Sequence, residues 1–212
     1  VDVTMYSAGG AYAGTEKQQI CLSYAYGDGK ESSCENTVNS VQRLFYNIPI
    51  NTYFSLDLDG IAALNDSIGG VDVVSPETIG DFVEGQSYHL VGQQAESFVR
   101  TRDTSKVDSN NMRMQRQKVY IQSFMNTVIQ QTKKDLTTPL DLFNASAPYS
   151  CTNLNPSKVT YLAQQAVLGG MNGIDMLSVP GQVKMGSKYA EFNVSEAEFY
   201  QMFLSIYYTK IE

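Results

Sequence analysis

One stretch limits the possible folds of this chain more than any other: residues 53–74, YFSLDLDGIAALNDSIGGVDVV. Phe54, Leu56 and Leu58 alternate with polar residues, the period of a strand with one buried face. Asp59 stands where a helix cap is favoured, and Ile61, Leu64 and Ile68 follow at helical spacing. Gly69 and Gly70 stop that helix, and the β-branched run from Val71 to Val74 returns as a strand. A strand, a helix, a tight glycine turn and another strand in close succession require an α/β layer arrangement. The doubled glycine supplies a helix stop and a turn. A phosphate-cradling role is the weaker reading, because neither GxxxxGK[ST] nor GxGxxG occurs.

The rest of the chain fits that class. Residues 1–6 alternate like a strand, and Gly9, Gly10 and Gly14 make a flexible link. Thr15 with Gln18 has the spacing of a capping box, which predicts a helix to Tyr26. Val38, Val41, Leu44 and Phe45 share one face of a helix over 35–46, ended by Pro49. Residues 75–86 are irregular, a short helix follows from about Gly92, and a polar loop covers 104–111. A long helix is predicted over 112–133, with Arg113, Gln117, Tyr120, Ile121, Phe124 and Val128 on one face. A short helix fits 140–144, and Asn155 with Pro156 opens another that ends at Gly169–Gly170. Strands are predicted at 174–179 and 189–193, and Ser195 with Glu198 caps a last helix to Tyr208. Without repeats, charge blocks or long linkers, residues 1–212 read as one α/β domain, with 121–212 as its C-terminal helices and strands. No apolar run reaches the roughly 20 residues that a membrane span needs, and no secretory leader is present, so the chain is expected to be soluble.

Charge locates the candidate site. The net charge is -7, yet four of the five arginines (Arg100, Arg102, Arg113, Arg116) fall within residues 93–117, with Lys106 and Lys118 beside them. Arginine presents a planar fork of donors suited to carboxylate or phosphate oxygens. The cluster reads either as an anion site or as a solvated salt-bridge face, with Glu96 four residues before Arg100. The predicted long helix adds the positive end of its dipole and free N–H groups. Its face runs from charged and amide groups to apolar ones, which serve either as core or as the lining of a lipid slot. The acidic balance argues against a duplex nucleic-acid binder. A serine hydrolase fits poorly, with no GxSxG elbow and a single histidine, His89, that reads as structural or surface.

The three cysteines leave two possibilities open. In an oxidising compartment Cys21 and Cys34, flanking a glycine-rich turn, are the natural pair, with Cys151 left over. In a reducing one all three are small buried hydrophobes. No spacing with His89 suggests a structural metal.

Four segments together resemble the LytR-CpsA-Psr family of bacterial cell-envelope proteins: CLSYAYGDG from Cys21, YFSLDLDGIAALNDSIGGVDV from Tyr53, AESFVRTRD from Ala95 and RMQRQ from Arg113. In order and spacing they cover most of residues 15–120, and residues 150–208 resemble the tail that follows in that family. The resemblance implies a mixed central sheet between helices and a long groove holding a polyprenyl-pyrophosphate-linked glycan. It implies transfer of a glycopolymer, with its phosphate, to a peptidoglycan hydroxyl on the extracytoplasmic face of the membrane, by a parent protein anchored through a segment upstream. Arg100 and Arg102 match catalytic positions, and Arg100, Arg102, Arg113 and Gln117 match pyrophosphate-binding ones. Arg116 belongs to the same motif and is expected among the pyrophosphate-binding residues, although its role in the family is less defined. Two departures stand out. The family's Mg²⁺-binding aspartates belong to strands that would precede Val1, so this chain is expected to lack the metal ligands and to bind lipid pyrophosphate with little transfer of its own. The family often has an acid where this chain has Asn110, with Asp108 offset by two. Asp28, Asp57 and Asp108 are the competing acids. The rival reading is a non-catalytic binder of polyprenyl phosphate or an anionic envelope polymer.

Overall fold

The computed structural model describes residues 2–6, 12–105, 109–186 and 190–209. Lys106, Asp108, Gly9 and Gly10 therefore lie outside the described residues. Two compact units form, one to Asp175 and one from Met176.

In the first unit, strands β1 (Asp2–Tyr6) and β2 (Tyr12–Lys17) pair antiparallel. Helices α1 (Leu22–Ala25) and α2 (Glu31–Leu44) follow, then β3 (Phe54–Leu56), α3 (Gly60–Ser67), β4 (Val71–Val74) and β5 (Ser87–Leu90). Next come α4 (Gln93–Arg100), the long α5 (Ser109–Lys134) and α6 (Thr138–Ser146), then β6 (Ser150–Thr152) and α7 (Pro156–Leu168). In the second unit β7 (Gly181–Met185) pairs with β8 (Ala190–Val194), and α8 (Glu196–Tyr207) follows. No helix among the described residues is long and apolar enough to cross a membrane.

The α/β class holds, but the sheet differs from a single mixed layer. Among the described residues the strands form two-stranded antiparallel ladders: β1 with β2, β3 with β6, β4 with β5, and β7 with β8. These strands are three to six residues long, and each finds one partner.

The core is built where the Gly-Gly segment directs it. Val71 and Val73 point inward and Asp72 and Val74 outward, the alternation expected of a half-buried strand. Gly69 and Gly70 have φ of +81° and +93°, and their N–H groups bond the carbonyls of Asp66 and Asn65, closing α3. A Cβ on Gly70 would lie 2.6 Å from the His89 ring, so only glycine lets β5 approach this closely. Leu90, opposite Val71, is fully buried, as are Ala95 and Phe98 of α4. Phe82 meets Phe98 edge to face at 5.0 Å. Val99 and Tyr120 complete the cluster, so the end of α4 is seated on the most buried part of the protein.

Four local expectations fail for tertiary reasons. Thr15 does not open a helix; its backbone joins β2 opposite Thr4, and ladder bonding outweighs a local cap. Residues 174–179 have no regular structure, and the strand begins after Pro180, which has no N–H to give a ladder. Asp59 and Ser195 precede α3 and α8, but neither side chain makes a capping bond. Asn155, by contrast, caps α7 as read, accepting from the Lys158 N–H at 2.9 Å.

Candidate functional site

Helix α4 ends with carbonyls that have no intrahelical donor, and α5 supplies donors to them. Arg116 is fully buried. Its Nη1 and Nη2 donate to the carbonyls of Phe98 and Thr101, while its Nε donates to Glu77 at 2.7 Å. Gln117 Nε2 donates to Val99 O at 3.1 Å. A cation and an amide thus cap the negative end of α4, the favourable arrangement for its dipole. The expectation that Arg116 binds pyrophosphate is corrected: all three of its nitrogens are engaged within the protein and none is exposed. Its work is to hold the backbone on both sides of Arg100.

Next to this clamp lies a cavity of about 500 Å³. Arg100, Arg113 and Gln117 line it together with Tyr120, Ile121 and Phe124 of α5, as their shared helical face predicts. The opposite wall is Leu56 and Leu58 from the end of β3, with Ile61 and Leu64 of α3. From Arg113 to Phe124 the α5 wall extends about 16 Å. It is polar at one end and apolar over the rest, the order required by a charged head on a hydrocarbon tail.

The arginines differ in how free they are. Arg113 Nη2 donates to Asn110 at 3.0 Å, but its Nε is buried with no partner. A buried donor left unpaired is costly. Arg100 is 62% exposed and donates to Glu96 at 2.7 Å. The Arg100 guanidinium, with Gln93 next, holds the Glu96 carboxyl below the usual range. Arg102 is exposed, donates to Ser109 at 3.0 Å and is not among the residues lining the cavity. Tyr120 donates to Asn65 at 3.2 Å, and burial raises its pKa above the ordinary tyrosine value. Val128 packs against the core cluster and does not line the cavity.

The other candidates are not among the residues lining this cavity. Asp28 Oδ1 accepts the N–H of Lys30 at 2.7 Å and that of Ser33, so it organises the turn before α2; the Lys30 bond lowers its pKa. Asp57 is exposed at the start of α3, its carbonyl accepting from Gly60 N–H. His89 is bonded to Asp72 across the β4–β5 ladder at 2.7 Å, on the exposed face. Among the described residues no group of three or more His, Cys, Asp or Glu side chains is placed to hold a metal ion.

The Cys21–Cys34 bridge is also corrected. All three cysteines are free. Ser23 of α1 bonds Ser40 of α2 at 2.8 Å, six residues along that helix from Cys34. Cys21 is exposed with its thiol toward Gln19, while Cys34 is buried with Cys151 as its neighbour.

Two contributors were not singled out in the sequence. Glu77 sits in the irregular stretch before β5, where nothing marks it as the partner of Arg116. The wall from β3 and α3 carries apolar residues that read only as core.

Comparison with known proteins gives this geometry a context. A polyisoprenyl-teichoic acid–peptidoglycan teichoic acid transferase TagU from Bacillus cereus is 28% identical over 173 residues, 78% of this chain and 52% of that protein. The chain spans about half the length, or less, of the curated relatives it matches. Among solved structures, TagV of Bacillus subtilis is 20% identical with a TM-score of 0.67, over 99% of this chain and 83% of its own. TagT bound to LI-WTA is 16% identical with a TM-score of 0.65, over 97% and 75%. These structural likenesses show a shared fold. The model of the LytR_cpsA_psr family matches residues 2–205, nearly the whole length, and the chain belongs to that family.

Proposed function

We propose that the protein transfers a phosphorylated glycopolymer from a polyprenyl-pyrophosphate carrier to peptidoglycan, working on the extracytoplasmic face of the cell membrane. One observation carries this reading: two cationic side chains, Arg100 and Arg113, with the Gln117 amide, stand together in the wall of an otherwise apolar cavity. Such a pairing suits a lipid whose head is a doubly charged phosphate ester and whose tail is hydrocarbon. The TagU name of the relatives and the LI-WTA bound to TagT support the same substrate class.

In the proposed reaction an acceptor hydroxyl of peptidoglycan attacks the phosphorus that bears the glycan. The P–O bond to the bridging oxygen breaks, polyprenyl phosphate leaves, and the hydroxyl proton is released. Phosphoryl transfer of this kind depends mainly on positioning and on neutralising developing charge. Arg113 and Arg100 supply positive charge at the cavity mouth. Arg116 and Gln117 fix the backbone that carries Arg100. The apolar walls hold the tail and exclude water from the head.

The test is transfer from a lipid-linked glycopolymer to purified peptidoglycan by the parent protein and its Arg113→Ala variant. The proposal expects at least a tenfold loss in the variant. Equal turnover would remove Arg113 from the reaction, and lipid binding without any transfer would favour a non-catalytic carrier.

A further inference from the structure

We propose that Cys34 and Cys151 are a dithiol–disulfide site that ties helix α2 to strand β6. The pairing rests on packing and is independent of the proposed transfer reaction. Three elements distant in sequence meet here. Cys34 lies on the inner face of α2 and is 4% exposed. Cys151 lies in β6, directly across the ladder from Ser55 of β3. Cys34 and Ser55 line the same small cavity, which places Cys34 beside the β3–β6 ladder where Ser55 pairs with Cys151. Cys21, the other candidate partner, is exposed and turned toward Gln19.

The surroundings give each cysteine a role. Burial, with the neighbouring Cys151 thiol adding to it, pushes the Cys34 thiol up to about 11, so it is protonated at neutral pH. Cys151 is partly exposed and is the side that a reagent reaches first. A cavity of about 260 Å³, lined by Cys34, Tyr53 and Ser55 among others, opens beside the pair. The oxidant is a small or protein disulfide. Cys151 sulfur attacks it, one thiol departs, and a mixed disulfide forms. Cys34 sulfur then displaces the second thiol. Two protons and two electrons leave the pair, and the oxidant becomes two thiols. The bond would close a very long loop and anchor β6, whose partner β3 contributes Leu56 to the ligand cavity. The oxidation state of the pair is thereby linked to one wall of that cavity.

The experiment oxidises the full chain with excess glutathione disulfide, alkylates the remaining thiols, and maps peptides by mass spectrometry. The inference expects one Cys34–Cys151 cross-link, a mass lower by two hydrogens, and an alkylated Cys21. A Cys21→Ser variant should form the same link. Oxidation should raise the melting temperature on the order of 10 °C, a gain absent in Cys151→Ser. Three alkylated cysteines, a link that includes Cys21, or a link with no thermal gain would each overturn it.

Discussion

Replacing Glu77 with alanine should be among the most damaging single changes in this protein, although Glu77 does not line the cavity. The Arg116 guanidinium has no exposed surface, and among the described residues its carboxylate partner is Glu77, at 2.7 Å. Its other nitrogens donate to the neutral carbonyls of Phe98 and Thr101. Without Glu77 the cation stays buried with partners that cannot balance its charge. Breaking one side of such a pair costs about 3–5 kcal/mol, against a total domain stability of about 5–15 kcal/mol. Glu77→Gln keeps the volume and an acceptor for Nε while losing the charge, so its cost should be smaller, about 1.5–3 kcal/mol. The chain has no tryptophan, so urea unfolding at neutral pH is best followed by far-ultraviolet circular dichroism. The expected order of midpoints is wild type, then Glu77→Gln, then Glu77→Ala. A Glu77→Ala protein within about 0.5 kcal/mol of wild type would refute the clamp as a structural element.

Other expectations follow from the cavity and the helix caps. Ile121 lines the cavity but is 44% exposed and lies outside the core cluster. Ile121→Ala should therefore weaken polyprenyl-pyrophosphate binding roughly tenfold while leaving the melting temperature and inorganic pyrophosphate binding unchanged; isothermal titration and thermal melts measure both. Arg100→Ala should lower affinity for the lipid several-fold, whereas Arg102→Ala, outside the lining, should change transfer rate more than affinity. Asp66 accepts the Gly92 N–H that opens α4, and that bond lowers its pKa from an ordinary value near 3.8. A lowered carboxyl pKa contributes stability above the unfolded value that is lost as pH falls through the folded value. Wild type should therefore lose its advantage over Asp66→Asn as urea midpoints are taken from about pH 5 to below pH 3; a constant difference would contradict this.

Much of the fold was legible because local and global signals agree in residues 53–74 and along α5. The strand alternation around Val71, the glycine stop and the helical spacing of Arg113, Gln117, Tyr120 and Phe124 all survive in the structure. The arginine cluster was legible as a candidate site, but its division of labour was not. Arg113 and Arg116 lie three residues apart on one helix, and what separates them is a carboxylate 39 residues away in an irregular segment. That long-range pair turns one arginine into a buried clamp and leaves the other with an unpaired nitrogen. The cysteines illustrate the same limit: nearness in sequence suggested Cys21 with Cys34, while helix packing sets Cys34 against Cys151. Thr15 shows the converse case, where a good local helix start gives way to a strand partner.

The central claim is that the cavity recognises a pyrophosphate head on a polyprenyl tail, with Arg113 as a cation in its wall. Its most direct test is calorimetric titration of a soluble-length polyprenyl pyrophosphate and of the matching alcohol, into wild type and Arg113→Ala. The account predicts that wild type prefers the pyrophosphate by at least tenfold and that Arg113→Ala loses most of this preference while still binding the alcohol. Equal affinity of wild type for both compounds, or an undiminished preference in Arg113→Ala, would contradict it.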